Sequence, residues 1–185
     1  MKKIIWEIEY LALPVVVKYC KKCGKISEFI CSQKFRVNAQ KKNIDVWLIY
    51  NCDYCNTTWN ARVYQQISPQ SIEKHDLEGF YQNSKAMVKK YAMDYEFLCK
   101  NGADGVELPP YTIMGEDFSL TEIVELQIKN RYKLPVKISK IIREKLYLSQ
   151  SEYLRLIENG NIKSVPEHDL KKCKIKKEIT LIFKS

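Results

Sequence analysis

The sequence predicts a mixed α+β fold, with a β-hairpin module at the N-terminal end, a helical middle and a small α/β unit at the C-terminal end. Three observations carry that expectation. Two C-x-x-C turns bracket a stretch whose apolar residues alternate with period two. A stripe of apolar residues recurs at helical spacing between Ser84 and Cys99. Beyond Lys137, two short amphipathic patterns of helical period give way to lysine-rich strands. The corresponding domains are residues 1–67, 68–119 and 120–185.

From the N-terminal end, Ile4 to Val17 has strand character, limited at Pro14, which has no N–H to offer a neighbour. Ile26 to Gln40 and Ile44 to Tyr50 read as two strands joined by the polar turn Lys41-Lys42-Asn43. Along the second, Ile44, Val46, Leu48 and Tyr50 share one face, and Asp45, Trp47 and Ile49 share the other. Thr57 to Gln66 is a third strand, β-branched and aromatic at Thr57, Thr58, Trp59, Val63 and Tyr64. Ser68-Pro69 breaks it. Ser84 to Cys99 predicts one helix striped by Met87, Val88, Tyr91, Tyr95 and Leu98, stopped at Asn101-Gly102. Gly102, Gly105, Pro109-Pro110 and Gly115 predict a linker to about Phe118. Asp117 and Ser119 are suited to cap a following helix.

Lys137 to Leu146 predicts a short helix with Ile138, Ile141, Ile142 and Leu146 on one side and Lys137, Lys140 and Arg143 on the other. Ser149-Gln150-Ser151-Glu152 has the form of a capping box, with Ser149 at the N-cap and Glu152 at the third helical position. The helix it opens turns Tyr153, Leu154, Leu156 and Ile157 inward and Ser151 and Arg155 outward. Gly160 closes it, and Ile162 and Lys174 to Phe183 supply short strands. All four of Lys137, Lys140, Arg143 and Arg155 are expected outside the core.

Composition narrows the classes. The chain has 185 residues, 45% of them hydrophobic, with 31 Lys and Arg against 22 Asp and Glu. That is an ordinary globular balance, so disorder and collagen-like structure are excluded. No apolar run approaches the roughly 18 residues that span a bilayer. Lys2 and Lys3 suggest a signal peptide, but Glu7 and Glu9 interrupt the apolar core such a peptide needs. The expectation is a cytoplasmic protein with reduced thiols. Charge is uneven: residues 1–67 carry net +6, residues 68–128 net −6, and residues 129–185 net +9. Basic ends can meet a polyanion, although a lysine-rich face is also simply a solvated one.

The cysteines carry the strongest chemistry. Cys20-Lys21-Lys22-Cys23-Gly24 and Cys52-Asp53-Tyr54-Cys55-Asn56 each allow two sulfurs to point at one ion, and Gly24 stands where such a turn often needs positive φ. The 28 residues between the pairs exceed the usual spacer of about 15 to 20, yet match the length of the predicted hairpin. Four thiolates at one tetrahedral centre make a closed, structural zinc site of zinc-ribbon type, bound by Cys20, Cys23, Cys52 and Cys55. Two disulfides, a redox pair or an iron–sulfur cluster are the competing readings. Cys31 is either a fifth thiol near the site or a small core residue. Cys99 reads as a core cysteine and Cys173 as a surface one, with Lys172 and Lys174 placed to lower the Cys173 pKa.

The string Leu148-Ser-Gln-Ser-Glu-Tyr-Leu-Arg-Leu-Ile-Glu-Asn-Gly160-Asn-Ile162, ending in Lys174-Ile-Lys-Lys-Glu-Ile179, resembles the small RNA-binding domain named for ribosomal small-subunit protein four. That resemblance implies two helices packed on a small sheet, with a basic helix face that meets structured RNA such as ribosomal or transfer RNA. Lys137 and Lys140 match its basic positions at the first helix, Ser149 and Ser151 its serine pair, and Arg155 an outward position of the second helix. Arg143 and Lys163 add to the basic face. Gln150, where an arginine is common, and Ser164-Val165-Pro166, in place of a Val-Asn-Gly turn, depart from the pattern.

The whole chain also resembles an uncharacterised bacterial family, the domain of unknown function 1062. The resemblance rests on Cys20–Lys25, Cys31–Ala39, Asp45–Tyr50, and Cys52–Cys55 followed by Thr58-Trp59-Asn60. It implies one architecture and no activity. A catalytic role finds little footing. His75 and His168 lie in polar segments, and Glu116-Asp117, near Asp104 and Glu107, read as a solvated loop. No glycine-rich phosphate loop or nucleophile–base order appears. The expected function is a zinc-stabilised protein that binds structured RNA and has no catalysis of its own. The alternative is an adaptor that docks protein partners through its acidic middle segment. A small enzyme of unrecognised chemistry is the third class.

Overall fold

The structure, a computed structural model, describes residues 1–40 and 42–184. It is mixed α+β and divides into two compact units, one made of Met1–Leu11 with Pro110–Ser185 and the other of Ala12–Pro109. The chain lays down β1 (Lys2–Tyr10) in the first unit, leaves it at Leu11, and returns at Pro110. Leu11 N–H donates to the Pro110 carbonyl at 2.9 Å, closing the point of exit and return.

The inserted unit begins with β2 (Val15–Cys20), β3 (Lys25–Gln40), β4 (Asn43–Cys52) and β5 (Thr58–Ile67). Three helices follow, α1 (Lys74–Tyr81), α2 (Lys85–Ala92) and α3 (Tyr95–Lys100), and then β6 (Gly105–Glu107). The five strands form one antiparallel sheet in the order β5-β4-β3-β2-β6. The alternation in β4 is as the sequence implies: Ile44, Val46, Leu48, Tyr50 and Cys52 are buried. They pack with Phe80, Met87, Val88 and Leu98 from the helices. The predicted turn at 41–43 includes Lys41, which lies outside the described residues.

The second unit adds β7 (Tyr111–Met114), β8 (Val124–Asn130), β9 (Val136–Lys137), α4 (Ile138–Leu146), α5 (Gln150–Glu158), β10 (Ile162–Val165), β11 (Lys174–Ile175) and β12 (Glu178–Phe183). Its main sheet has the order β10-β12-β8-β1-β7, and β9 pairs with β11 in a separate ribbon. Only β1 and β8 run parallel there, with Ile4 opposite Leu126 and Trp6 opposite Ile128. Trp6 is fully buried; its ring lies 5.6 Å from that of Phe118, and its Nε1–H donates to the Glu116 carbonyl at 2.9 Å. Gly115, at φ +125°, has to be glycine: a Cβ there would collide with the Ile5 carbonyl and the Trp6 ring. The capping box at Ser149 is present in full, and Ile138, Ile141, Ile142 and Tyr153 form the buried helix stripes.

Several expectations need correction. The single helix over 84–99 is two, because Asp94 caps a new one by accepting from Phe97 N–H. α1 has no counterpart among the expected elements. The linker contains β6 and β7, because the edges of β2 and β1 recruit the segments after Gly105 and Pro110. No helix follows Asp117, which instead meets Lys145 at 2.8 Å, and the chain turns into β8. The boundaries at 67 and 119 are not those of the compact units, since β1 completes the C-terminal sheet and α1–α3 cover the hairpin sheet. No helix among the described residues is long and apolar enough to cross a membrane.

Candidate metal centre

Two tight turns bring four thiols together. Cys20 ends β2, and the chain reverses so that Gly24 N–H donates to the Cys20 carbonyl at 2.9 Å. Cys52 ends β4, and Asn56 N–H donates to the Cys52 carbonyl at the same distance. Gly24 and Asn56 occupy matching positions, and both have positive φ, +68° and +57°. Asparagine is one of the few residues with a side chain that tolerates that region. The β3–β4 hairpin brings the two turns to one end of the sheet, and Asp53 N–H binds the Glu28 carbonyl across it.

The sulfurs of Cys20 and Cys55 are 3.6 Å apart, and those of Cys23 and Cys52 are 3.8 Å apart. All four lie within 4.8 Å of one another. A tetrahedron with metal–sulfur bonds of about 2.3 Å has edges of about 3.8 Å. The separations therefore fit a single tetrahedral cation, whereas each thiol is free of any disulfide. Cys20 and Cys52 are buried and Cys23 and Cys55 half-buried.

The electrostatics agree with the geometry. The Thr57 hydroxyl, 3.2 Å from the Cys55 sulfur, and then the Thr57 N–H pull the Cys55 thiol down to about 6. The Cys23 thiol is pushed up to about 12, first by its contact with Cys55. Four sulfurs this close share protons unequally; a divalent cation replaces those protons and lets all four be thiolates. The cluster can therefore hold a metal ion.

Cys31 is outside this set. It is buried opposite Tyr50, and burial raises its thiol pKa. The Tyr50 hydroxyl is fully buried and has no hydrogen-bond partner among the described residues. Cys173 is half-buried, and burial followed by Asp169 raises its pKa, so the expected lowering by Lys172 and Lys174 is overturned. Cys99 is half-buried, and His75 and His168 are exposed.

Of the residues assigned to a basic face, Lys137, Lys140, Arg155 and Lys163 are exposed, as are the hydroxyl-bearing Ser149 and Ser151. Arg143 departs from expectation. It is half-buried, its Nε–H donates to the Leu148 carbonyl at 3.3 Å, and its guanidinium meets Gln150 Oε1 at 2.8 Å. The sequence places it opposite the apolar stripe, but the reversal at Tyr147, with φ +55°, folds the α4–α5 connection back over it. Asn56 is a second knuckle residue that the motif reading misses; its signal is its position one past the second C-x-x-C, matching Gly24.

The family described as a protein of unknown function, DUF1062, matches residues 37–168. The match takes in the second cysteine pair and begins after Cys20, Cys23 and Cys31, so it does not extend over the whole chain. No curated protein and no solved structure matches.

Proposed function

The chain belongs to DUF1062, a family of unknown function, and from that premise we propose that it is a zinc-stabilised protein that binds structured RNA. The observation that carries the RNA reading is the exposed set Lys137, Lys140, Arg155 and Lys163 around α4 and α5. Cations on short capped helices can track phosphates. The chain order β9, α4, α5, β10, β11, β12 puts two helices beside short strands, as in the domain that this segment resembles. Arg143 supports the face indirectly by holding the α4–α5 connection. Zinc is favoured at the cysteine cluster because four thiolates without a histidine or carboxylate suit a closed structural centre.

The adaptor reading has less behind it. Acids of the middle segment are engaged within their own units: Asp76 with Lys90 at 2.8 Å, Glu116 with Lys2 at 3.0 Å, and Asp104 with Tyr19 N–H at 2.9 Å.

The test is titration of an RNA hairpin with metal-loaded protein across a salt series. Lys137→Ala/Lys140→Ala should weaken binding and reduce the slope of log affinity against log salt by about 0.7 to 0.9 for each lost phosphate contact. Equal affinity and slope in wild type and variant would overturn the reading. Metal analysis should find one zinc per chain in wild type and in Cys31→Ser.

A further inference from the structure

The sheet that carries the cysteines has two chemically different faces. One packs beneath α1–α3. The other is built in rungs across β3, β4 and β5. In the first rung, Trp47 lies directly between Arg36 and Arg62. In the next outward rung, Ile49 lies between Asn60 and a bulge in β3. In the third, Asn51 lies between Ile30 and Thr58. At the bulge, residues 32–34 face Ile49 alone, Gln33 has φ +58°, and the Ser32 hydroxyl donates to the Ile49 carbonyl at 2.8 Å. The bulge opens a groove of about 700 Å³, lined in part by Lys34, Arg36, Ile49 and Asn51.

Arg36, Arg62 and Lys34 are exposed, and among the described residues none pairs with a carboxylate. Among the described residues, the Arg62 guanidinium meets the neutral Gln65 Oε1, at 2.6 Å. Asp45, the acid next along this face of β4, already accepts from Gln66 N–H at 2.8 Å. Glu28 is on the same face, toward the cysteine end. The centre of the face therefore combines three cations, Lys34, Arg36 and Arg62, with half-buried Trp47 and Ile49, and the carboxylates of Asp45 and Glu28 flank it. With strands about 4.8 Å apart, the Arg36 and Arg62 backbones are about 10 Å apart with Trp47 between them. A base on the tryptophan thus has a cation toward each neighbouring phosphate, and the Asn51 and Asn60 amides offer donors and acceptors to base edges. A sheet of this kind takes unstacked bases, which a duplex does not present.

We propose that the open face of this sheet binds single-stranded nucleic acid, with a base stacked on Trp47 and phosphates held by Arg36, Arg62 and Lys34. The site goes beyond the preceding reading: it belongs to the other unit and shares no residue with the α4–α5 face.

The test uses full-length, metal-loaded protein titrated with fluorescein-labelled 15-mer oligouridylate or oligodeoxythymidylate and read by anisotropy. Wild type should bind both, more weakly as salt rises. Arg36→Ala/Arg62→Ala should reduce the salt slope by about 1.4, from two lost single-strand phosphate contacts. Trp47→Leu should weaken binding about 5- to 150-fold, the range for a lost base–aromatic stack. Trp47 is half-buried, so the exposed arginine pair decides the outcome if the leucine variant fails to fold. Arg36→Ala/Arg62→Ala should bind the RNA hairpin as wild type does, which separates failure of this proposal from failure of the hairpin reading. Absence of binding at low salt, or variants that bind like wild type, would overturn it. So would a self-association that Trp47→Leu abolishes without any binding of oligonucleotide, since that result makes the face a protein interface.

Discussion

The two compact units are held together by different means. The unit that contains β1 and β8 closes its main sheet on side chains that are mostly apolar, with Trp6, Leu126, Ile128 and Leu181 fully buried and Asn130 and Ser164 as buried polar residues among them. The inserted unit has a comparable core at Val46, Leu48 and Tyr50, and that core runs on through Phe29 to Cys20 and Cys52 at the cysteine end. There Tyr54 is 77% and Ile26 55% exposed, and the two reversals between strands meet in the four thiols. The difference teaches where a metal is useful in a small β unit: at the end of a long hairpin, where two turns have to be held against each other beside exposed side chains. A structural zinc contributes roughly 10 kcal/mol or more of apparent binding free energy, and that is folding free energy as well.

This contrast can be broken by experiment. The largest effect is expected from chelation of the metal proposed at the cysteine cluster or from Cys52→Ser. Either should remove hydrogen-exchange protection across residues 12–109 while 110–184 stay protected; simultaneous loss in both units would end the distinction. Trp6→Ala should cost the other unit about 3 to 5 kcal/mol, from lost burial and the cavity left behind. Calorimetry should record that loss with one metal per chain retained. Within the same unit, Arg143→Ala should cost about 1 kcal/mol by releasing the Leu148 carbonyl. Lys140→Ala, whose 3.7 Å pair with Glu144 is exposed, should stay within about 0.5 kcal/mol. The smallest effect concerns pH. Lys90, 2.8 Å away, holds the Asp76 carboxyl below its ordinary value of 3.8. A depressed folded pKa stabilises above the ordinary value, and the contribution vanishes as pH falls through the depressed one. Asp76→Asn should therefore lose a few tenths of a kcal/mol at neutral pH, discounted for solvent screening, and nothing in strong acid. A pH-independent difference would contradict that account.

Legibility in the sequence followed the range of the interactions. The hairpin strands, the capping box at Ser149 and the four-cysteine cluster are set by spacing within a turn or a strand, and the residues themselves announce them. What escaped was non-local. β6 and β7 are short, lie among glycines and prolines, and exist only because β2 and β1 offer them an edge. Asp94 reads as one more polar residue in a helical stripe until its carboxylate is seen to cap α3. Arg143 has the helical angle of a surface residue, and only the left-handed turn at Tyr147 explains why it is half-buried. The compact units are hard to read from the sequence for the same reason: charge runs along the chain, whereas β1 finds its parallel partner from the far side of an inserted unit.

That insertion has a consequence during synthesis. β1 ends at Tyr10, and its central neighbour β8 begins at Val124. At a translation rate of about 5 to 20 residues per second, β1 emerges roughly 6 to 23 seconds before β8 does. Throughout that interval the strand carries Ile4, Trp6 and Ile8 with no sheet to receive them, and its unpaired edges are the kind that nascent chains join by mistake. The glutamates and lysines that alternate with those residues, Lys3, Glu7 and Glu9, are then the only guard the strand has. Replacing them with apolar residues would leave every contact of the finished core in place and still send newly made chains into aggregates.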